Sequence, residues 1–479
     1  MQVVYKHGSD IIRIEHIGSA HSVLELEFLI NKANEHIDLE YPRIDLFPTD
    51  RLSGFSKGTY SELLWDTLVG QYDALGFDAL KDEAFCQLVC SRIIKPTSKL
   101  DTIRVLQGLG LDAPSYSGIN RCLRRVVDDD YRSVISECCF DRTSDFSLSL
   151  LLYDVTTLYF EAQKEDEYRK SGLSKERRLE PQITVGLLVG RDGFPLEVKS
   201  FEGNRAEVKT IMEVLGDFKA RYGLDGMTVT ADAAMLSSAN ICALEDAGYH
   251  YIIGSRIAKT PYEIAEYVKA PDTELSDGQI FDTIQAMNTG KKTERVKRRV
   301  IYQYRKDRAS LDLRNIDKLV EKAYRMIEGK AEYKRNRFLK VEGTAKSINH
   351  PLIEESRLKA GIKGYVTDLD VPAQEVIDAY HQLFEVERSF RMAKSDLQAR
   401  PIFHRKRDSI EAHLTIVFAA LAISRRIQDK TGMTIRRFLE LLEPLRTSII
   451  KLNGKLHEFP PEIDASTQAV LKSLDREIW

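Results

Sequence analysis

Residues 147–155, SLSLLLYDV, constrain the fold more than any other stretch. A continuous apolar run of this length that ends in an acid reads as a strand buried on both faces. A charged loop follows (161–181), then a second apolar run, ITVGLLVG (183–190). The Asp192-Gly193 turn joins that run to FPLEVKSF (194–201) as a hairpin. A helix is expected over 206–222, where Val208, Ile211, Met212, Val214, Leu215 and Phe218 recur at helical spacing. Residues 227–231 form a short strand running into Asp232, a helix covers 237–247, and another strand covers 251–255. Strand, strand, strand, helix, strand, helix, strand is the order of an α/β fold with an open mixed sheet.

The chain's 479 residues exceed one ordinary domain, so two or three are expected. A charged fraction of 30% and a hydrophobic fraction of 43% suit a globular protein and exclude a disordered one. The net charge of −3 gives no bulk attraction to nucleic acid, so any such attraction must come from local patches. Cys86, Cys90, Cys122, Cys138, Cys139 and Cys242 form no paired ligand spacing and read as reduced core residues. The longest apolar run, residues 414–423, is too short for a bilayer, and no signal peptide stands before residue 30. A cytoplasmic protein with no membrane partner is expected.

Residues 1–55 combine short strands (2–5 and 11–14) with an amphipathic helix over 24–37, and helices dominate from 60 to 145. Within them, a helix at 98–107, a Gly108-Leu109-Gly110 break and a second helix capped by Ser115 or Ser117 place Arg121, Arg124 and Arg125 near a helix start. That arrangement reads either as a DNA-reading helix-turn-helix or as part of a plain helical bundle. Further on, residues 291–308 hold nine lysines and arginines against two acids, with Val300, Tyr302 and Tyr304 alternating as in an exposed strand. Lys297, Arg298 and Arg299 are the centre of this candidate nucleic-acid patch; a solvated charged face is the alternative.

Residues 371–400 read as one helix, started by Asp370 and Pro372 and stopped by Pro401. At about 100° per residue, Glu387 lies within roughly 20° of Tyr380 and Val376 on its apolar stripe, with Lys394 two turns below. An inward acid and ammonium either brace two helices or hold a metal and a phosphate. The second reading needs two more carboxylates, and Asp154 and Asp232 stand at strand ends where an open α/β sheet binds ligands. Each has a structural alternative: Asp154 could satisfy loop amides, and Asp232 could cap the helix near Ser237. Three converging carboxylates need a cation, and oxygen-only ligation favours Mg²⁺ or Mn²⁺. A pair of such ions about 3.5–4 Å apart would suit phosphoryl transfer.

Tyr380, Glu387 and Lys394 match a Y-x2-R-x3-E-x6-K signature, with Leu383 in place of its arginine. Together with LYDVTTLYF around Asp154, FEGNRAEVKT (201–210), TADAAMLSS around Asp232 and RPIFHRKRDSIEAHL (400–414), the chain resembles the DDE transposases of bacterial insertion sequences over roughly 150–430. Ala234 stands where that group commonly has glycine. The resemblance implies an RNase H-like mixed-sheet catalytic core (146–256 and 360–430) interrupted by a basic insertion (257–359). A mainly helical, DNA-end-binding region (1–145) would precede the core and a helical C-terminal region (431–479) would follow it. It further implies Asp154, Asp232 and Glu387 as metal-holding catalytic residues, and Lys394, Tyr380 and Arg391 as DNA contacts. The partners implied are double-stranded transposon-end and target DNA, held by a homodimer in the nucleoid of a bacterial cytoplasm. Two rivals remain: a metal-dependent nuclease on the same core, and a transposase-derived DNA-binding protein without catalysis.

Overall fold

The computed structural model describes residues 1–20, 23–40, 54–143, 149–161, 164–172, 180–206, 209–224, 226–233, 237–255, 257, 260–270, 273–288, 294–332, 335–342, 345–452 and 455–475. They divide into two compact units: residues 1–58 with 449–459, and residues 59–448 with 460–479.

In the first unit β1 (Gln2–His7) pairs antiparallel with β2 (Asp10–His16), followed by the helix Val23–Glu40. A three-stranded sheet, ordered β15-β14-β3, joins β3 (Gly54–Tyr60) to β14 (Thr447–Leu452) and β15 (Lys455–Phe459). The short strands expected at 2–5 and 11–14 are β1 and β2, but residues 1–58 belong with 449–459 to a unit of their own rather than to the start of one 1–145 region.

The second unit is built on an eight-stranded sheet, β6-β5-β4-β7-β8-β13-β10-β9. Its members are β4 (Leu150–Tyr159), β5 (Gln182–Val189), β6 (Pro195–Glu202), β7 (Thr228–Ala231), β8 (His250–Ser255), β9 (Ile280–Asn288), β10 (Arg295–Tyr304) and β13 (Ile362–Thr367). β7 lies parallel to both β4 and β8, while the other pairings are antiparallel. This is the RNase H-like mixed sheet the resemblance implies. Every residue of β5 is buried, and β4 is buried except at Asp154 and Tyr159, as unbroken apolar runs require. The β5–β6 turn holds Gly193 at φ +80°, where a Cβ would lie 2.6 Å from the Arg425 guanidinium, so glycine is needed for conformation and space alike.

The boundary drawn at residue 257 does not hold, because β9 and β10 extend this sheet rather than forming a separate insertion. Val300 and Tyr302 are buried and Tyr304 is half-buried on a strand between β13 and β9, not exposed as their alternation suggested. Among the described residues of that region, only the hairpin β11 (Leu339–Glu342) and β12 (Ala345–Ile348) stands as a sheet of its own.

The long helix Arg407–Thr431 packs against β6 and the helices Glu62–Ala74, Glu83–Ile94, Tyr116–Asp128 and Tyr131–Asp141, which places the N-terminal helices over the core. Glu411 fixes its first turns: its carboxylate meets Arg132 at 2.8 Å and accepts from Ser200 and Tyr168 at 2.8 and 2.7 Å. The helices Lys99–Gly108 and Tyr116–Asp128 start where expected, capped by Ser98 and Ser115. They pack against each other and against Glu83–Ile94.

Candidate active site

The single helix expected over 371–400 is two. Ala373–His381 ends at a turn through Gln382 and Leu383, and Phe384–Ser395 begins after it. Leu383 donates to the Tyr380 carbonyl and Val386 to that of Leu383, a tightening of the last turn that resets the helical phase. Glu387 therefore leaves the apolar stripe and is exposed in the first turn of its helix, so no buried Glu–Lys brace exists. Leu383, in the place of the signature's arginine, is buried.

The aspartates are set by register. Tyr153 on β4 pairs with Ala231 on β7 in parallel, so the next residues, Asp154 and Asp232, emerge side by side at the carboxyl end of β7. Neighbouring strands are about 4.8 Å apart. Asp232 Oδ1 accepts from the Ala233 amide at 2.6 Å and from the Tyr380 hydroxyl at 3.2 Å. Tyr380 is buried, edge-on to Tyr365, and burial first and Asp232 second push its hydroxyl well above the usual range; it stays protonated and donates. The hydroxyl reaches Asp232 by crossing Gly254 on β8, where a Cβ would stand 2.5 Å from it.

Asp154 and Glu387 line one cleft of ≈ 420 Å³ together with Arg391, Lys394, Ser395 and Arg400. Asp232 opens into the adjoining cleft, with Tyr380, Lys363, Arg308 and Arg337. Lys363, on β13, lines the Asp232 cleft. Its ammonium lies 4.2 Å from the Tyr380 ring centroid, and it feels the charges of both Asp232 and Glu387. Burial first and Arg308 second depress its pKa, while the two acids oppose that shift. The expectation that three carboxylates already share one metal-sized cluster is not met: among the described residues no three His, Cys, Asp or Glu side chains are gathered to hold an ion. Tyr380 and the Ala233 amide hold Asp232 on its own side. The donor set still suits a hard divalent ion, since all three acids are oxygen donors on adjoining clefts.

The candidate DNA contacts separate into two kinds. Lys394 and Arg391 line the acid-bearing cleft, and Arg121, Arg124 and Lys297 are exposed. Arg125 instead makes a two-pronged bond to Asp82 at 2.9 and 2.6 Å, shared with the Tyr131 hydroxyl. Buried Arg298 grips Glu245 at 2.9 and 2.8 Å. Arg299 bonds Asp282 and the carbonyls of Leu369 and Val371. These three guanidiniums brace the fold through carboxylates or carbonyls. The sequence reading missed Lys363, Arg400 and Gly254. A lysine between two glycines on an apolar strand, GIKGYV (361–366), was the available signal for Lys363.

Among protein families, one described as the transposase DDE domain matches residues 145–423. Among solved structures, the cryo-EM structure of a piggyBac transposase synaptic complex with hairpin DNA covers 80% of this chain and 70% of that one, at TM-score 0.40 and 9% identity. No curated protein matches the chain. Among the described residues no helix is long and apolar enough to cross a membrane.

Proposed function

The chain belongs to the transposase DDE domain family, and from that membership we propose that it cuts DNA at the terminal inverted repeats of an insertion sequence and transfers the freed 3′-OH ends into target DNA. Asp154, Asp232 and Glu387 are the catalytic acids in this reading, and two copies of the chain act on the paired ends. The observation that carries it is the register: Asp154 and Asp232 emerge at one level of adjacent parallel strands, with Glu387 lining the Asp154 cleft.

Divalent magnesium, or manganese in its place, held by these three acids would supply charge neutralisation at the scissile phosphate and a more acidic water. The chain's own residues do the rest. The protonated Tyr380 hydroxyl holds the Asp232 carboxylate in orientation. Lys394, Arg391 and Arg400 line the cleft where the phosphate backbone lies. Lys363 supplies a partly desolvated cation in the Asp232 cleft, within electrostatic reach of Glu387, in the role left open by Leu383.

The test is cleavage of a duplex carrying the ends of the encoding element, with Mg²⁺ and after chelation. Mg²⁺-dependent nicks at the repeat boundary and joined products support the reading. Nicks without joining point to a nuclease, and end binding with no cleavage points to a DNA-binding protein that has lost catalysis.

A further inference from the structure

A third cleft, ≈ 600 Å³, lies between the N-terminal helices and the segment after the glutamate helix. Arg92, Lys95, Lys99, Arg400, His404 and His413 line it. Its described lining residues include one acid, Asp101, which is taken by Arg104 at 2.7 Å and by Ser98 at 2.8 Å. Among the described residues no acid stands within ion-pairing distance of Arg92 or Lys95, and Lys99 donates to the neutral side chain of Asn120 at 2.8 Å.

The histidines behave as a strongly positive surround requires. His413 Nε2 donates to the Ala399 carbonyl at 3.1 Å, so its Nδ1 faces the Arg92 guanidinium, 3.5 Å away, as an acceptor. Burial, then the charges of Lys99 and Arg92, push the His404 pKa down to about 4. A partly desolvated guanidinium beside two neutral imidazoles and two lysines leaves cations without counter-charge, which a protein keeps where an anion comes and goes.

The rim supplies a second, independent signal. Phe403 is 75% exposed and Tyr116 49% exposed, large rings left in water at the mouth of a cationic cleft. Backbone-tracking cations with exposed aromatic faces are the combination that binds single-stranded nucleic acid, because unstacked bases offer a face that paired bases do not. Arg400 lines both this cleft and the one holding Asp154 and Glu387, so a strand leaving the acids has a continuous cationic course into it.

We propose that this cleft takes a single DNA strand freed at the cut, its phosphates on Arg92, Lys95 and Lys99 and a base against Phe403. The proposal rests on the DNA-cutting reading but concerns residues outside the acids.

The test is fluorescence anisotropy of the full chain in EDTA, with a short labelled oligothymidylate and, separately, a labelled blunt duplex. The Arg92→Gln/Lys99→Gln pair should weaken oligothymidylate binding by tenfold or more and lower the salt slope by about 0.7 for each phosphate lost. Phe403→Ala should weaken it roughly five- to a hundredfold with the slope unchanged. Duplex affinity should change much less in both. Unaltered oligothymidylate affinity in both variants overturns the proposal, and so does an equal loss for duplex, which would mean a general basic patch. Should the Arg92 variant melt at lower temperature, Lys99→Gln with Phe403→Ala decides alone. Wild-type end cleavage in Mg²⁺ separates the failures. Cleavage with unaltered strand binding removes only the cleft, whereas cleft-dependent binding without cleavage removes the catalytic reading.

Discussion

Two basic regions of the second unit look alike in sequence and differ in what they do with charge. On β10, Arg298 and Arg299 are closed into bonds with Glu245 and Asp282, so the cations serve the sheet's packing. Around the carboxyl ends of β4 and β7, Arg391, Lys394 and Arg400 face a cleft with the acids, and Arg92 and Lys95 face a neighbouring one with no acid in ion-pairing reach among the described residues. Density of positive charge along the chain therefore does not tell a bracing cation from one that lines a cleft.

The largest effect expected is on the acid side of that contrast. Asp154→Asn keeps shape but removes a charge next to Asp232, and end cleavage should fall by roughly three or more orders of magnitude. Residual cleavage should fall far below the folded fraction that its thermal melt gives. A nicking assay beside a thermal melt checks both.

On the brace side, Arg298→Ala removes the guanidinium from Glu245, which keeps the Tyr251 hydroxyl, and should destabilise the unit by about 1–3 kcal/mol in a denaturant titration. DNA affinity per folded molecule should not change. Lys297→Ala, one residue away and exposed, should do the reverse: no change in melting, and a salt slope lower by about 0.9 if it meets a phosphate. Equal behaviour of the two variants would break the comparison.

Much of the core was legible because buried strands are written as unbroken apolar runs. The 147–155 and 183–190 runs, the Asp192-Gly193 hairpin and Asp232 at its strand end follow from local pattern, whereas Asp154, expected to end its strand, lies within β4, which runs on to Tyr159. What failed was non-local. Arg298 and Glu245 are 53 residues apart, so nothing near Arg298 announces its partner. The break at Gln382–Leu383 carries no proline or glycine, and both residues suit a helix, so Glu387 was phased onto the wrong face. β10 reads as a strand, but its membership of the main sheet depends on β13, nearly sixty residues further on.

Lys363 sharpens the comparison at smaller scale, since its ammonium lies over a ring instead of in an ion pair. Lys363→Gln should lower cleavage roughly ten- to a hundredfold, the cost of about 1–3 kcal/mol for a charged phosphate contact, with little loss of stability. A structural role would instead appear as a lower melting temperature with cleavage tracking the folded fraction.

The smallest effect concerns His404. Its pKa falls from 6.5 to about 4 on folding, so between those values the unfolded chain binds the extra proton. Stability therefore rises with pH across that window and is lost on acidification. His404→Gln should flatten this slope in urea titrations at neutral and mildly acidic pH.

The most direct test measures end binding and end cleavage on one Glu387→Gln preparation. Glu387 is exposed and makes no buried brace, so the account predicts an unchanged melt, end-DNA binding equal to or tighter than wild type, and cleavage down by several orders of magnitude. Cleavage within a fewfold of wild type, or a loss that only follows a lowered melting temperature, would contradict it.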